Sequence, residues 1–119
     1  MLTKSVLIVD DAMFMRLSLK IMLEKNGFQV VGEAENGAVA VEQYKKLNPD
    51  IVTMDVTMPE VDGIEALRQI RAIDSKAKVV MVSAMGQEAV IRNAVMVGAK
   101  NFILKPFKEE SVIKVLNSL

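Results

Sequence analysis

The 119-residue sequence predicts an α/β fold, in which a parallel five-stranded sheet carries helices on both faces. Short, nearly continuous β-branched runs recur along the chain, as is typical of parallel strands buried on both sides. Segments of helical length, each with one apolar side, separate these runs. Five such βα units with right-handed crossovers favour a doubly wound sheet with strand order 2-1-3-4-5.

The predicted strands are Ser5–Asp10, Gln29–Ala34, Asp50–Asp55, Lys78–Ser83 and Asn101–Lys105. Helix-ending signals fall between them: Gly27 and Gly98 stand at expected C-caps, and Asn48-Pro49 stops the second helix. No linker, internal repeat or low-complexity segment interrupts the pattern. We therefore expect residues 1–119 to form one domain.

Composition excludes several classes of function. Hydrophobic residues make up 51% of the chain, which disfavours disorder, and 15 basic residues balance 15 acidic ones, which gives no reason to expect a nucleic-acid partner. Cysteine and histidine are both absent. Disulfides, thiolate sites, histidine-based zinc sites and Ser-His-Asp triads are thus excluded, as is a phosphohistidine on this chain.

The first residues, "MLTKSVLIVDD", reach acid after a short apolar run. That run is too short for a signal-peptide core or a membrane span. We expect a cytoplasmic protein without membrane insertion, and the start at Met1 favours a complete short protein.

Polar residues stand where four of the five strands end. They are Asp10 with Asp11, then Asp55, Ser83 and Lys105. In open α/β sheets, ligands bind outside the carboxyl ends of the strands, at the switch in strand order. With the order 2-1-3-4-5 these four strands are neighbours, so their terminal side chains are expected to meet at one edge.

A purely structural role is the simpler interpretation of each residue taken alone. Asp11 could only cap the following helix, Ser83 could only stabilise a turn, and Lys105 could be a solvated charge. Asp62, directly before Gly63, is best interpreted as a turn and helix cap. Three carboxylates, a hydroxyl and a lysine at one edge nevertheless favour a functional site.

The chemistry of that set points to phosphoryl transfer. Carboxylates about 4 Å apart repel by roughly 4 kcal/mol at an effective dielectric of 20, so three of them need counter-charge. Lys105 supplies one positive charge, and the hard oxygen ligands suit Mg²⁺. Asp55 would then be the nucleophile. No glycine-rich phosphate loop is present, so a nucleotide is not expected to be the direct donor.

The motifs "VLIVDD", "DIVTMDVTMPEVDG", "VVMVSAMG" and "GAKNFILKPF" together resemble the receiver domain of bacterial response regulators. The likeness covers essentially the whole chain and is strongest to the free-standing chemotaxis regulators of that family. It implies a flavodoxin-like fold. The strand order 2-1-3-4-5 is a known property of this family, so its prediction is not independent of the resemblance.

Carried over by position, the resemblance implies that Asp55 is the phospho-acceptor. Asp11 and Asp55 would bind Mg²⁺ directly, Asp10 would hold it through water, and Thr57 would contribute its backbone carbonyl. Lys105 corresponds to the lysine that binds the phosphoryl group.

The resemblance also implies a switch. Ser83 stands where the family has a hydroxyl that moves to the phosphoryl group, more commonly a threonine. Phe102 stands at the aromatic switch position and, without a hydroxyl, would act by packing alone. Pro106 would be cis.

The expected function is that of a phosphorylation-dependent switch in a two-component system. A chemotaxis histidine kinase would donate the phosphoryl group, a flagellar motor switch protein would receive the signal, and a chemotaxis phosphatase would be a further partner. The protein would be no enzyme beyond its own phosphorylation and dephosphorylation. Alternatives are a phosphorelay intermediate, the receiver of a transcriptional regulator, an aspartyl-phosphate phosphohydrolase and an inert flavodoxin-like binding module.

Overall fold

The structure is a computed structural model that describes residues 3–119; Met1 and Leu2 lie outside the described residues. Strands and helices alternate through this part of the chain, as the sequence predicts. The elements are β1 (Ser5–Val9), α1 (Met13–Lys25), β2 (Gln29–Ala34), α2 (Gly37–Leu47), β3 (Ile51–Met54), α3 (Gly63–Ile73), β4 (Val79–Ser83), α4 (Glu88–Val97), β5 (Asn101–Leu104) and α5 (Glu109–Asn117).

The five strands form one parallel sheet with the order β2-β1-β3-β4-β5. This confirms the predicted flavodoxin-like doubly wound fold. Val9 at the end of β1 pairs with Met54 at the end of β3. Asp10 and Asp55 therefore leave the sheet side by side, at the edge where ligands bind in such folds.

Two hydrophobic cores cover the two faces of the sheet, because successive strand residues point to opposite sides. In β1, Leu7 and Val9 face one core, and Val6 and Ile8 face the other. The first core is completed by buried residues of α2, α3 and α4, including Tyr44, Leu67, Ile70 and Ala94. The second is completed by Leu19, Leu23, Val112 and Leu116 of α1 and α5. Burial on both faces explains why the strands are nearly continuous apolar runs.

Three strands end one residue earlier than the sequence predicts. Asp10, Asp55 and Lys105 follow β1, β3 and β5 and do not terminate them. The main chain of both acids still donates to a neighbouring strand, from Asp10 to the Ala34 carbonyl and from Asp55 to the Val9 carbonyl, each at 3.0 Å. Beyond those bonds the chain turns away from the sheet, which frees the side chains at its edge.

Two of the predicted helix ends are confirmed, whereas α1 has Asn26 as its C-cap, one residue before the predicted Gly27. Gly98 closes α4 with a φ of 118°, and Asn48 closes α2 in the left-handed region. Asp62 caps α3, since its carboxylate accepts a 2.9 Å hydrogen bond from the Glu65 amide. Among the ten elements, no helix combines the length and apolar character that crossing a bilayer requires.

Candidate functional site at the carboxyl edge of the sheet

Three carboxylates meet where β1 and β3 end. Asp10, Asp11 and Asp55 each place an oxygen within 4.8 Å of the other two. Asp10 and Asp55 are buried, with 2% and 8% of their surface exposed, while Asp11 is exposed. At this separation, two unit negative charges repel by roughly 3–4 kcal/mol at an effective dielectric of 20. The cluster therefore attracts cations.

Lys105 supplies a positive charge to the cluster. Its Nζ lies 2.7 Å from Asp10 Oδ2 and 3.1 Å from Asp55 Oδ2, and its side chain is only 15% exposed. Burial lowers the pKa of Lys105, but the hydrogen bond to Asp10 and the charges of Asp55 and Asp10 outweigh it, and the pKa is raised above its ordinary value. Lys105 is thus a paired cation within the site, and the alternative of a solvated edge charge is wrong.

Contacts fix both the carboxylate and the backbone of Asp55. Its Oδ1 accepts from the Val56 amide at 2.7 Å, and its Oδ2 accepts from Lys105. The N-terminus of α3 packs on the backbone at this point: the Gly63 amide donates to the Val56 carbonyl at 2.8 Å. A Cβ on Gly63 would lie 1.7 Å from the Asp55 carbonyl oxygen. The position of Asp55 therefore depends on the absence of a side chain at Gly63, the first residue of α3.

Asp10 and Asp11 are oriented in different ways. Asp10 Oδ1 accepts from the Ala12 amide at 2.9 Å, and Oδ2 accepts from Lys105. Ala12, not Asp11, is the N-cap residue of α1, so the interpretation of Asp11 as a helix cap is wrong. Within residues 3–119, no hydrogen bond holds the Asp11 carboxylate, which is free to bind a ligand.

Arg16 also belongs to this site, although it was not predicted from the sequence. Its Nη1 donates to the Asp10 carbonyl at 2.7 Å, and its Nε donates to Glu33 at 3.1 Å. The available signal was spacing: Arg16 lies one helical turn into α1, and Glu33 lies near the carboxyl end of the adjacent strand β2.

Two further predicted residues, Ser83 and Thr57, belong to the end of β4 and to the loop after β3. Ser83 ends β4 and is 1% exposed, and its hydroxyl accepts from the Met85 amide at 3.2 Å. Its carbonyl accepts from the Lys105 amide at 2.9 Å, which ties β4 to the lysine. The exposed Thr57 donates its hydroxyl to Met85 Sδ at 2.9 Å. This contact joins the loop after β3 to the loop after β4, whereas the role of the Thr57 carbonyl stays a prediction.

Phe102 lies on β5 opposite Met81. It is half-buried and packs against the core formed with α2, α3 and α4. Nearby, a Cβ on Gly86 would approach Leu104 Cδ2 to 2.8 Å, so the loop after β4 packs closely on β5. The Lys105-Pro106 peptide is cis, as the resemblance implies.

The donor set fits Mg²⁺. The three clustered side chains offer carboxylate oxygens only, and hard oxygen ligands are those that Mg²⁺ prefers. A thiolate or imidazole site is excluded because the chain has neither cysteine nor histidine.

Residues 6–117 match the family described as the response regulator receiver domain. The chain belongs to this family. This receiver is 57% identical to the chemotaxis protein CheY of Bacillus subtilis over 112 residues, which cover 94% of this chain and 93% of that protein. It is 55% identical to CheY of Thermotoga maritima over 116 residues, covering 98% and 97%.

The receiver also superposes on a solved chain from the crystal structure of the CheX-CheY-BeF3-Mg complex of Borrelia burgdorferi. The TM-score is 0.93 at 40% identity, covering 97% of this chain and 87% of that one. Receiver domains of this kind are signalling proteins of two-component systems, in which phosphorylation sets the state of a switch. Family membership therefore favours the switch over the phosphohydrolase and the inert binding module.

Proposed function

We propose that this protein, taken as a single receiver domain over residues 1–119, is a cytoplasmic chemotaxis response regulator that accepts a phosphoryl group on Asp55 from a histidine kinase. One observation carries the proposal: Lys105 bridges Asp10 and Asp55 inside a cluster of three carboxylates. That arrangement pairs a nucleophile with a cation placed for an incoming phosphate. The high identity to chemotaxis proteins supports the assignment to chemotaxis.

In the proposed reaction, a carboxylate oxygen of Asp55 attacks the phosphorus of the kinase's phosphohistidine. The new O–P bond forms as the P–N bond breaks, and the bonding electrons leave with the imidazole. Bound Mg²⁺, held by Asp10, Asp11, Asp55 and the Thr57 carbonyl, would supply positive charge against the phosphoryl oxygens. Lys105 would turn from the carboxylates to donate to one of those oxygens.

The chain would catalyse only its own phosphorylation and the later hydrolysis of the acyl phosphate by water. The Val56 amide, 2.7 Å from Asp55 Oδ1, holds the plane of the nucleophilic carboxylate during both steps. Correct orientation of reacting groups lowers barriers by several kcal/mol in general.

Phosphorylation would then set the switch. It adds about −1.5 to −2 charge and strong acceptor oxygens beside a buried serine. The Ser83 hydroxyl, which accepts from the Met85 amide, retains a proton to donate to the phosphoryl group. Its movement would draw the loop after β4 toward Asp55 and away from Leu104, and would make room for Phe102 to turn inward.

The output surface proposed for this switch comprises α4, β5 and α5. A groove of about 460 Å³ lies on it, lined by residues that include Phe102, Leu104, Phe107 and Val115. We expect a flagellar motor switch protein to bind this surface. A chemotaxis phosphatase is a second expected partner, supported by the solved CheX-CheY complex of a relative. Neither a nucleic acid nor a membrane is an expected partner.

The acceptor assignment is tested with Asp55→Asn, using acetyl phosphate as donor in the presence of Mg²⁺. We expect labelling to be lost, because an amide oxygen is a poor nucleophile. Asp62→Asn is the matched control, since it makes the same change in charge while asparagine still caps α3. Labelling of Asp55→Asn at the wild-type rate would show that the acceptor lies elsewhere.

The output is tested by capturing partners with the wild-type protein, with and without beryllofluoride and Mg²⁺. Retention of a motor switch protein only with beryllofluoride supports the chemotaxis role. Retention of a histidine-containing relay protein in its place would support the phosphorelay alternative.

A further inference from the structure

The side chain of Arg16 joins three elements at the acidic site. It projects from α1, donates from Nη1 to the Asp10 carbonyl at 2.7 Å, and donates from Nε to Glu33 Oε1 of β2 at 3.1 Å. The arginine side chain is only 14% exposed. Because the guanidinium is planar and holds its donors in a fixed fork, two contacts define its position in a way that one contact would not.

All the polar groups of Asp10 have partners. Its amide donates to Ala34, its Oδ1 accepts from the Ala12 amide, and its Oδ2 accepts from Lys105. Only the backbone carbonyl remains, and Arg16 binds it. The direction of that carbonyl is therefore set by a side chain that itself contacts none of the three clustered carboxylates within the described hydrogen bonds.

The carbonyl in question belongs to the peptide that links Asp10 to Asp11. Since a peptide unit is planar, fixing its oxygen also fixes the direction in which the chain enters Asp11. The Asp11 carboxylate is exposed and has no hydrogen-bond partner in residues 3–119. The backbone therefore sets the direction in which the Asp11 carboxylate points relative to the other two acids.

We propose that Arg16, braced by Glu33, is a positioning residue for the cation site, which clamps the Asp10–Asp11 peptide so that both carboxylates face one ion. The inference rests on the proposed function only in requiring that the site bind Mg²⁺, and it does not depend on phosphorylation of Asp55. Lysine cannot replace the clamp, because a single ammonium does not reproduce the planar fork.

Electrostatics and geometry predict opposite changes in Mg²⁺ affinity when Arg16 is lost, so a measured affinity distinguishes between them. Arg16 is a cation near an acidic site, so its loss should by electrostatics alone tighten Mg²⁺ binding. Loss of an outer residue that orients ligands generally weakens metal binding by about 10- to 100-fold. We expect the weakening at Arg16→Met, near the lower end of this range, since Lys105 still holds Asp10.

The experiment measures Mg²⁺ affinity of the full chain by calorimetry, together with hydrogen exchange of the Ala12 amide in metal-free protein. In Arg16→Met we expect roughly 10-fold weaker Mg²⁺ binding and faster exchange of the Ala12 amide, whose acceptor Asp10 is loosened. Arg16→Lys should also bind Mg²⁺ more weakly than wild type. Arg68→Met is the matched control, because Arg68 is an exposed arginine paired with Glu65 on α3, and should leave both readouts unchanged.

Two outcomes would overturn the inference alone: unchanged or tighter Mg²⁺ binding in Arg16→Met, or wild-type binding in Arg16→Lys. If Arg16→Met does not fold, Glu33→Ala carries the test, since it removes only the brace; wild-type affinity there counts against the proposal. A wild-type protein that binds no Mg²⁺ would instead overturn the proposed function together with the clamp.

Discussion

Replacing Gly63 by alanine separates local helix propensity from tertiary packing. Gly63 is the first residue of α3, and alanine is the better helix former, so propensity alone predicts stabilisation by up to about 1 kcal/mol. The tertiary structure predicts the opposite. The added Cβ would lie 1.7 Å from the Asp55 carbonyl oxygen and 2.7 Å from its carbonyl carbon.

The size of the effect follows from that overlap. A Cβ is essentially never found closer than 3.0 Å to such an atom, so α3 and the Asp55 backbone must separate by more than 1 Å. The obstructing atoms are backbone, which cannot rotate away. Overpacking costs about 1–3 kcal/mol and occasionally more, and a reacting group misplaced by about 1 Å loses about 100-fold in rate. We expect a loss near 3 kcal/mol in the free energy of unfolding and about 100-fold slower labelling of Asp55.

Chemical denaturation and acetyl phosphate labelling with Mg²⁺ measure the two effects. Gly27→Ala is the control, because Gly27 has a φ of +89° and nothing within 4 Å of an added Cβ. It lies at the opposite end of the sheet, and forcing alanine into this conformation costs about 1–2 kcal/mol. Gly27→Ala should therefore lose stability and keep its labelling rate.

Wild-type stability of Gly63→Ala would contradict this prediction, since the overlap would then be relieved at no cost. A variant that loses stability but labels at the wild-type rate would contradict the narrower statement that Gly63 positions Asp55.

Three further predictions concern other buried polar groups. The buried Thr53 hydroxyl has no hydrogen-bond partner among the described residues, so Thr53→Val should raise the free energy of unfolding by about 1 kcal/mol in denaturant titrations; a loss would reveal an unseen partner. Burial and a 2.8 Å hydrogen bond to Asp74 raise the pKa of Tyr44 from 10.0 to about 12, while the backbone hydrogen bond from Lys76 and the Tyr44 hydroxyl lower the pKa of Asp74. The bond therefore stabilises the fold fully between pH 3.8, the ordinary carboxyl pKa, and pH 10.0. It stabilises the fold less as the pH rises to about 12 or falls through the lowered pKa of Asp74. The loss of thermal stability in Tyr44→Phe should thus shrink at both extremes of pH, and a loss that does not change with pH would argue against this account. Lys105→Met leaves two buried carboxylates without their cation. In the absence of metal this should cost about 3 kcal/mol, the lower end for a buried pair, because the Lys105 side chain is 15% exposed. Mg²⁺ should restore more stability to Lys105→Met than to wild type. Equal stabilisation of the two proteins by Mg²⁺ would contradict that account.

Much of the fold could be predicted from the sequence because the relevant signals are local. A strand buried on both faces is apolar at nearly every position, and the helices between the strands show one apolar side. Asp62 was predicted to cap α3 and does so, since capping involves residues only three apart. The ends of three strands were predicted one residue too late, because the charged residue that follows each strand still donates its amide to the neighbouring strand.

The candidate site was predictable only in part. The residues at the strand ends, Asp10, Asp11, Asp55, Ser83 and Lys105, were predicted to meet, because parallel strands end at one edge. The structure brings the three acids and the Lys105 side chain together, whereas Ser83 is tied to Lys105 through the backbone. The contribution of Arg16 was not predicted, since it requires the direction of a side chain on α1 relative to a carbonyl on the preceding turn.

The sequence by itself determined the order of elements, the two apolar faces of the sheet and the presence of acids where its strands end. Only the tertiary structure decided that the Lys105 ammonium bonds both Asp10 Oδ2 and Asp55 Oδ2, 95 and 50 residues away, and that Gly63 must lack a side chain beside Asp55. The physical reason is range. Periodicity and capping depend on neighbours within a few residues, whereas ion pairs and close approaches between distant segments depend on register, helix placement and rotamer, which are set when the sheet and helices pack.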